Sequence, residues 1–219
     1  MHAFSGQQVL ELGCGAGVAS LCLAARVSGL GLTGVELQAE YADLARRNAA
    51  DNGHEMNVHH TDLRDLPPDV QQISFDHVIA NPPYYMAGGG TRSDNVGRDA
   101  ALREKTPLTD WISVATRRLK PKGYLTVIQD SERLPDLLAA IDGRLGGIKV
   151  RPLAPRVDRD AHLVILQARK GARAPFRMLA PIIMHQGRNH GADGEDYAPE
   201  INAVLRDGAA LNFDPVNRK

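Results

Sequence analysis

The chain has 219 residues, of which 43% are apolar and 24% are charged. This balance suits one ordinary globular domain with a sizeable core, and it excludes intrinsic disorder and fibrous repeats. No apolar run approaches the roughly 20 residues of a membrane-spanning helix, and the N-terminus has no basic and apolar leader. We therefore expect a cytoplasmic protein with no membrane partner, in which Cys14 and Cys22 are reduced thiols.

The 26 basic and 26 acidic residues cancel, but they are unevenly distributed. Residues 149–177 contain eight Lys or Arg against two Asp, which leaves a local net charge of +6. A block of this charge attracts phosphates, although it is equally compatible with a solvated surface around a pair of strands. Both interpretations stay open at this point.

Short apolar runs alternate with amphipathic segments in the first part of the chain. The runs predict strands at residues 9–12, 32–37, 58–61 and 75–80. Helical spacing predicts helices at 16–27 and 39–52. Val18 and Tyr41 fall on the apolar sides of these helices. The fourth strand must end before Pro82, because proline lacks the N–H group that a central strand donates.

The next segment has no periodicity. Residues 86–106 include three consecutive glycines and charges of alternating sign, so we expect a long exposed loop, and residues 85–106 are a candidate lid. Helices are predicted after it at 107–119 and 134–145, and strands at 124–129, 148–153 and 162–168. The last two strands must pair antiparallel, because their link is too short for a crossover helix. Trp111 falls on the apolar side of its helix, which favours core packing over stacking on a base.

These elements predict an α/β fold with a doubly wound, Rossmann-like sheet of seven mostly parallel strands and helices on both faces. The final pair is expected to add an antiparallel strand at one edge. Residues 1–170 form this domain in the prediction. Residues 171–219 are expected to be a C-terminal extension packed on the same domain, with a helix predicted at 199–205.

A glycine-rich turn follows the first strand, in the sequence Glu-Leu-Gly-Cys-Gly-Ala-Gly at residues 11–17. Ligands of such folds bind at the carboxyl ends of the strands, where Gly13, Gly15 and Gly17 would let one approach bare backbone. A plain tight turn is the alternative. A dinucleotide dehydrogenase is disfavoured, because Val18 or Ser20 stands where its third glycine belongs.

Acidic residues follow the next two strands. Glu36 can accept hydrogen bonds from both hydroxyls of a ribose, which predicts a ligand that carries a nucleoside. Asp62 can accept a hydrogen bond from an adenine amino group, or it can cap a turn. The eight histidines fit no standard ligand set, so we predict no metal site.

The most specific motif is Asn-Pro-Pro-Tyr at residues 81–84. The two prolines fix the backbone, so we expect the Asn81 side chain and the Pro82 carbonyl to point together into the crevice. Two acceptors suit the two N–H groups of a planar amine, such as adenine N6 or a glutamine amide, and Tyr84 could stack on its plane. Binding both hydrogens favours a pyramidal nitrogen whose lone pair can attack a methyl group.

With these motifs, residues 9–168 resemble the class I S-adenosylmethionine-dependent methyltransferases that methylate amino groups. The run Ala-Arg-Lys-Gly at 168–171, the apolar residues of 178–184 and Tyr-Ala-Pro-Glu at 197–200 are similar to bacterial tRNA1(Val) (adenine-37-N6)-methyltransferases. The resemblance implies S-adenosylmethionine as the cofactor and adenine N6 in RNA, with tRNA favoured, as the methyl acceptor. It implies catalytic roles for Asn81, Pro82 and Tyr84. It implies cofactor contacts for Glu11, Gly13, Cys14, Gly15, Gly17, Glu36, Leu37, Asp62, Leu63 and Asn81.

Two other functions stay open. A glutamine N5-methyltransferase acting on release factors resembles this chain in the tetrapeptide but carries an N-terminal helical domain. A non-catalytic scaffold could keep the fold in order to bind RNA or a partner. The tRNA-modifying family also has a segment before the first strand that covers cofactor and substrate, whereas eight residues precede it here, so we expect a truncated chain or a misassigned start.

Basic residues supply the expected RNA contacts. The block at 149–177 is one source. The end of the helix at 107–119 and the turn after it add Arg117, Arg118, Lys120 and Lys122. These groups could grip phosphates while Tyr84 stacks on an extruded base.

Overall fold

The computed structural model describes residues 3–86, 103–104, 106–141, 143–187 and 196–214. Its strands in chain order are β1 (Gln8–Leu12), β2 (Gly31–Glu36), β3 (Met56–His60), β4 (Phe75–Ala80), β5 (Tyr85–Met86), β6 (Arg103–Glu104), β7 (Leu119–Asp130), β8 (Leu145–Ala154), β9 (Leu163–Lys170), β10 (Arg177–Met178) and β11 (Ile182–Ile183). Its helices are α1 (Val18–Arg26), α2 (Ala39–Asp51), α3 (Pro68–Gln72), α4 (Leu108–Arg118), α5 (Leu134–Ile141) and α6 (Pro199–Asp207). In these ranges no helix has the length and apolar content that crossing a bilayer requires.

Nine of the described strands form one sheet in the order β10-β8-β9-β7-β4-β1-β2-β3, with β11 also paired to β8. The sheet is mostly parallel, and β8 and β9 pair antiparallel, so both of these predictions are confirmed. The expected count of seven strands is wrong, and so is the expectation that the antiparallel strand lies at an edge of the sheet. Residues 155–162 turn the chain back so that β9 inserts between β7 and β8, and the two-residue strands β10 and β11 are too short to show a periodicity.

The main core lies at the centre of the sheet, under α4 and α5. Phe75 on β4 and Leu125 on β7 are fully buried, and Ile112 and Leu137 on the two helices belong to the same apolar cluster. Alternate residues of β7 from 123 to 129 are buried, which is the period of a strand with one face towards a core. This alternation places Gln129 on the buried face.

The buried sides of the first two helices differ from the prediction. Val18 is 61% exposed, and α1 instead buries Ser20, Leu21 and Leu23. The hydroxyl of Ser20 can be buried because a carboxylate from β1 accepts its hydrogen bond. Tyr41 is also exposed, because α2 packs on the sheet through alanines.

Of the exposed loop expected at 86–106, the structure describes only residues 86, 103, 104 and 106, so the loop as a whole stays a prediction. β5 pairs in parallel with β6, and Thr106 is buried. Pairing between residues so far apart in sequence leaves no local pattern, which is why the sequence did not indicate it. The candidate lid at 85–106 falls largely on residues 87–102 and 105, which lie outside the described residues.

The C-terminal segment packs on the same sheet as the rest of the chain. β10 and β11 extend the sheet beside β8. The buried guanidinium of Arg151 on β8 donates to the carbonyls of Asn212, at 3.1 Å, and Phe213, at 2.8 Å. The division of the chain at residue 170 stays a prediction.

Candidate active site

The turn after β1 has a backbone that favours glycine. Gly13, Gly15 and Gly17 have φ angles of 63°, 51° and 80°, in the left-handed region that strains other residues. Gly17 is the N-cap residue, immediately before α1. A β-carbon at Gly15 would meet no other atom within 4 Å, so this part of the turn borders open space.

Glu36 ends β2, the strand beside β1, and it is held against this turn. Its Oε2 accepts a hydrogen bond from the Gly15 amide at 2.8 Å, and its Oε1 accepts one from the Gln38 amide at 2.9 Å. Each carboxylate oxygen has a second lone pair, so the fixed carboxylate can still accept hydrogen bonds from a ligand.

A cavity of about 310 Å³ opens at the carboxyl ends of the parallel strands. Its size is within the range of small-molecule sites, and it lies where ligands bind in doubly wound sheets. Seven of the predicted site residues line it, namely Gly13, Gly15, Glu36, Leu37, Asp62, Leu63 and Asn81. The structure therefore brings together residues that β1 to β4 contribute from distant parts of the sequence.

The side chains of Glu11 and Cys14 are buried and do not line the cavity. Oε2 of Glu11 accepts hydrogen bonds from the Ser20 amide at 3.1 Å and the Ser20 hydroxyl at 2.6 Å, and burial raises the pKa of this carboxyl to about 7. The Cys14 thiol is free and buried beside Gly34, and burial raises its pKa to about 12. In this structure both side chains support the turn. Gly17 also lies outside the cavity lining.

Asp62 lines the cavity and also caps a turn. Its Oδ1 accepts hydrogen bonds from the backbone amide of Arg64 at 2.8 Å and from Nε of Arg64 at 3.0 Å, and its Oδ2 accepts one from the same guanidinium at 2.6 Å. These hydrogen bonds hold the pKa of Asp62 below its usual value. An adenine amino group at this position would share the carboxylate with Arg64.

The Asn-Pro-Pro-Tyr segment leaves the sheet at the end of β4. Asn81 is exposed at the cavity and shares a side-chain hydrogen bond with Tyr84. Burial raises the pKa of the Tyr84 hydroxyl, and this hydrogen bond opposes the rise. The Pro82 carbonyl accepts a hydrogen bond from Nε2 of Gln129 at 3.3 Å, so it faces β7 and does not stand free in the crevice as expected. Neither Pro82 nor Tyr84 lines the cavity.

Several residues at the site were not predicted from the sequence. Tyr41, Thr61, Thr106 and Trp111 also line the cavity. Trp111 packs in the core as expected, but its ring also lies against Gly13. Gln129 is fully buried, and its amide reaches the carbonyls of both prolines. A single glutamine at a buried position of an apolar strand is the signal that could have indicated it.

The structure separates the predicted basic block at 149–177 into different environments. Lys149 and Arg177 both pair with Asp214, and Arg156 pairs with Asp196. Arg151 is buried by the C-terminal segment. Arg169 and Lys170 end β9, which runs opposite to β7, so they lie at the edge of the sheet away from the cavity. Part of the block is therefore engaged within the protein, and phosphate contacts by the rest of it stay a prediction.

Residues 1–146 match the model of the methyltransferase small domain family. The chain belongs to this family. Its sequence is 31% identical over 136 residues to a tRNA1(Val) (adenine(37)-N6)-methyltransferase of Porphyromonas gingivalis, which covers 60% of this chain and 52% of the relative. It is 27% identical over 210 residues to the enzyme of that name from Dickeya chrysanthemi, covering 91% of this chain and 79% of the relative. The chain thus spans about half the length of the first of these relatives.

A solved structure agrees with the family assignment. The fold superposes on a predicted O-methyltransferase, Atu636, from Agrobacterium tumefaciens with a TM-score of 0.74 and 27% identity, covering 94% of this chain and 91% of that one. The sheet order and this similarity identify the Rossmann-like α/β fold of class I methyltransferases.

Proposed function

We propose that this member of the methyltransferase small domain family transfers a methyl group from S-adenosylmethionine to adenine N6 in RNA, with tRNA as the substrate. The observation that carries the proposal is that Gly15, Glu36 and Asn81 line one cavity. A turn suited to a nucleoside and an amide suited to hold an amine therefore adjoin at one edge of the sheet. The names of the relatives from Porphyromonas gingivalis and Dickeya chrysanthemi support the choice of tRNA.

The residues of the cavity fit an adenosine-bearing cofactor. Gly15 offers backbone with open space beside it, and the Glu36 carboxylate is fixed as an acceptor for ribose hydroxyls. Leu37 and Leu63 add apolar surface to the same cavity. When bound, S-adenosylmethionine supplies a methyl group activated by the positive charge of its sulfonium.

Asn81 is the group in this chain that would hold the methyl acceptor. Its amide is exposed at the cavity, and the rigid prolines that follow limit the orientation of its backbone. Its side-chain oxygen would accept an N–H of the target nitrogen, and Tyr84 would stack on the base. The Pro82 carbonyl accepts from Gln129 and does not line the cavity, so it would have to turn towards the cavity before its second lone pair could accept the other N–H. Positioning of the nitrogen is then the main catalytic effect.

A transfer assay with isotopically labelled S-adenosylmethionine tests the proposal. Bulk tRNA from cells that lack this protein and purified release factor are offered in parallel, and the RNA is digested for nucleoside mass spectrometry. We expect label in N6-methyladenosine and none in the release factor. Asn81→Ala protein serves as the control for contaminating activity, and it should transfer little label.

Each other outcome identifies a different function. Label in release factor with none in N6-methyladenosine would replace the RNA substrate with a protein glutamine. Label in a ribose or another oxygen of the RNA would contradict the role of Asn81 and Pro82 in holding an amine. No transfer to either substrate, with no binding of the cofactor by calorimetry, would favour a non-catalytic scaffold.

A further inference from the structure

Basic residues gather at the edge of the sheet opposite the cavity. The cavity lies at the carboxyl ends of β1 to β4, whereas α4 ends and β7 begins at the amino edge of the sheet. β9 runs antiparallel to β7, so its last residues return to this same amino edge, and Lys170 pairs there with Leu145 at the start of β8. Three chain segments that are distant in sequence therefore meet at one place.

Basic residues from these segments form a surface that we name the amino-edge basic patch. Its members are Arg117, Lys122, Arg144, Arg169 and Arg173. Nε of Arg169 donates to the carbonyl of Lys122 at 2.9 Å, and its guanidinium lies 5.1 Å from the centre of the Tyr124 ring. The Gly171 amide donates to the carbonyl of Arg144 at 3.3 Å, which ties the start of the segment that contains Arg173 to the same edge.

A lysine beneath the patch anchors it to α4. Nζ of Lys170 donates to the carbonyls of Thr116 and Leu119, each at 2.7 Å. Burial lowers the pKa of this ammonium, and the positive charges of Arg118 and Arg144 lower it further. Lys170, although it belongs to the basic block at 149–177, is therefore unsuited to contact a phosphate, because its ammonium donates to carbonyls within the fold.

The exposed members of the patch are not neutralised by carboxylates. Lys120, next to the patch, pairs with Asp76 at 2.8 Å. Arg117, Lys122, Arg144 and Arg173 are exposed, and within the described part of the chain no ion pair involves them. Lys149 and Arg177, by contrast, share Asp214. The positive potential of the patch thus remains available to an external anion.

The distance between the patch and the site restricts the partner. Lys122 and Gln129 are seven positions apart along β7, which corresponds to about 23 Å. A mononucleotide cannot reach from one to the other. A double-helical nucleic acid presents on the order of one phosphate charge per 2 Å of its axis, so a stem that leaves the site along the strands would place several phosphates near the patch.

We propose that the amino-edge basic patch holds the phosphate backbone of the substrate RNA outside the loop that supplies the target base. This inference rests on the proposed function. The patch contributes affinity and orientation and makes no contact with the reacting atoms. Arg144 and Arg173 contact phosphates directly, because both are exposed and neither carries an interaction with a carboxylate in the described residues.

The test compares the Arg144→Glu/Arg173→Glu protein with the wild type in binding of tRNA across a range of salt concentrations. We expect the Kd for tRNA to rise at least about tenfold near 0.1 M salt, and the slope of log K against log salt to fall in magnitude by about 1.5, since two phosphate contacts are lost and each removes roughly 0.7–0.9. In transfer assays KM for tRNA should rise while kcat at saturation stays near that of the wild type. The Kd for S-adenosylmethionine should not change.

Arg47→Glu is the matched control, because Arg47 is an exposed arginine on α2. This helix packs on β2 and β3, at the end of the strand order away from β8 and β9. If the Arg144 and Arg173 substitutions act no more strongly than twice the effect of Arg47→Glu, the patch is not an RNA contact, although the proposed function stands if the wild type methylates tRNA. A loss of kcat without a change in KM would also overturn the inference. If the wild type neither binds nor methylates tRNA, the proposed function fails, and the patch proposal fails with it.

Discussion

A β-carbon built on Gly13 would lie 2.6 Å from Cη2 of the Trp111 indole, so the turn after β1 and helix α4 meet without room for a side chain. Gly15 has the same left-handed backbone, but a β-carbon there would meet nothing within 4 Å. Alanine at either position strains the backbone by about 1–2 kcal/mol. At Gly13 it also displaces the packed Trp111 ring. Comparing the two alanine variants therefore distinguishes an effect on packing from an effect on access to the cavity.

We expect Gly13→Ala to lower the free energy of unfolding by roughly 1–3 kcal/mol more than Gly15→Ala does, because overpacking adds to the backbone strain. Gly15→Ala should instead weaken binding of S-adenosylmethionine, because its methyl group enters the cavity. Urea unfolding followed by circular dichroism and calorimetric titration measure the two effects. Trp111→Leu in the Gly13→Ala background should recover part of the lost stability, and equal destabilisation by the two alanines would contradict this account.

Glu36→Gln tests the acceptor for the ribose. The carboxylate now accepts from two backbone amides, those of Gly15 and Gln38, and a glutamine amide has one oxygen for the two donors. We expect the affinity for S-adenosylmethionine to fall at least tenfold, about 1.4 kcal/mol. Calorimetry measures it, with Glu40→Gln on the exposed first turn of α2 as the control. Wild-type affinity in Glu36→Gln would remove Glu36 from the cofactor site.

The sequence predicted those parts of the site that lie at the ends of regular strands. Glu36 and Asn81 could be placed at one sheet edge because apolar runs mark β2 and β4, and parallel strands align their carboxyl ends. The glycine-rich turn could be placed at the same edge because it directly follows the apolar run of β1. The strand count and the position of β9 could not be predicted, because two-residue strands carry no periodicity and the pairing partner of a strand is set by the whole sheet.

The burial of polar residues that have hydrogen-bond partners inside the protein could not be predicted from the sequence pattern. Ser20 lies on the buried side of α1 because Glu11 accepts its hydrogen bonds, and Arg151 is buried because two C-terminal carbonyls accept from it. A pattern of apolar and polar residues scores both as surface positions. The direction of β9 likewise decides that Arg169 faces away from the cavity, which the local charge of the block does not reveal.

Asn81→Ala should separate chemistry from cofactor binding. The side chain would hold the methyl acceptor, so we expect kcat for tRNA methylation to fall by at least about 100-fold, or roughly 2.7 kcal/mol. The Kd for S-adenosylmethionine should stay within a few fold. Tyr84→Phe is the companion variant, because it keeps the ring but removes the hydrogen bond with Asn81, and it should cost less. An equal loss of turnover and cofactor affinity in Asn81→Ala would contradict the assigned role.

Glu11 should make stability depend on pH. Burial raises its pKa from 4.5 to about 7, so the folded protein binds this proton more tightly than the unfolded chain. The contribution of Glu11 is therefore most favourable below pH 4.5 and is lost as pH rises to about 7.

The measurement is the stability of Glu11→Gln relative to the wild type. We expect this difference to shift in favour of the variant by about 3 kcal/mol between pH 4.5 and 7 and to be flat above that. Urea unfolding at several pH values gives the difference, and other titrating groups, such as His77, largely cancel from it. A difference that does not vary with pH would show that the carboxyl titrates normally.

Gln129 should act on turnover through the position of the Asn-Pro-Pro-Tyr segment. Its Nε2 lies 3.3 Å from the Pro82 carbonyl and 3.4 Å from the Pro83 carbonyl, while its Oε1 accepts from the Asp130 amide at 2.8 Å. Gln129→Leu leaves these buried groups without partners, at a cost of about 1–3 kcal/mol in stability. We also expect kcat to fall about 10- to 100-fold, with the Kd for S-adenosylmethionine unchanged, because this side chain does not line the cavity.

Thr126→Val on the same strand is the control, since the buried Thr126 hydroxyl has no hydrogen-bond partner, and it should leave turnover and stability near those of the wild type. If Gln129→Leu loses stability but keeps the wild-type kcat at a temperature where it is folded, Gln129 supports the fold alone and does not position Asn81.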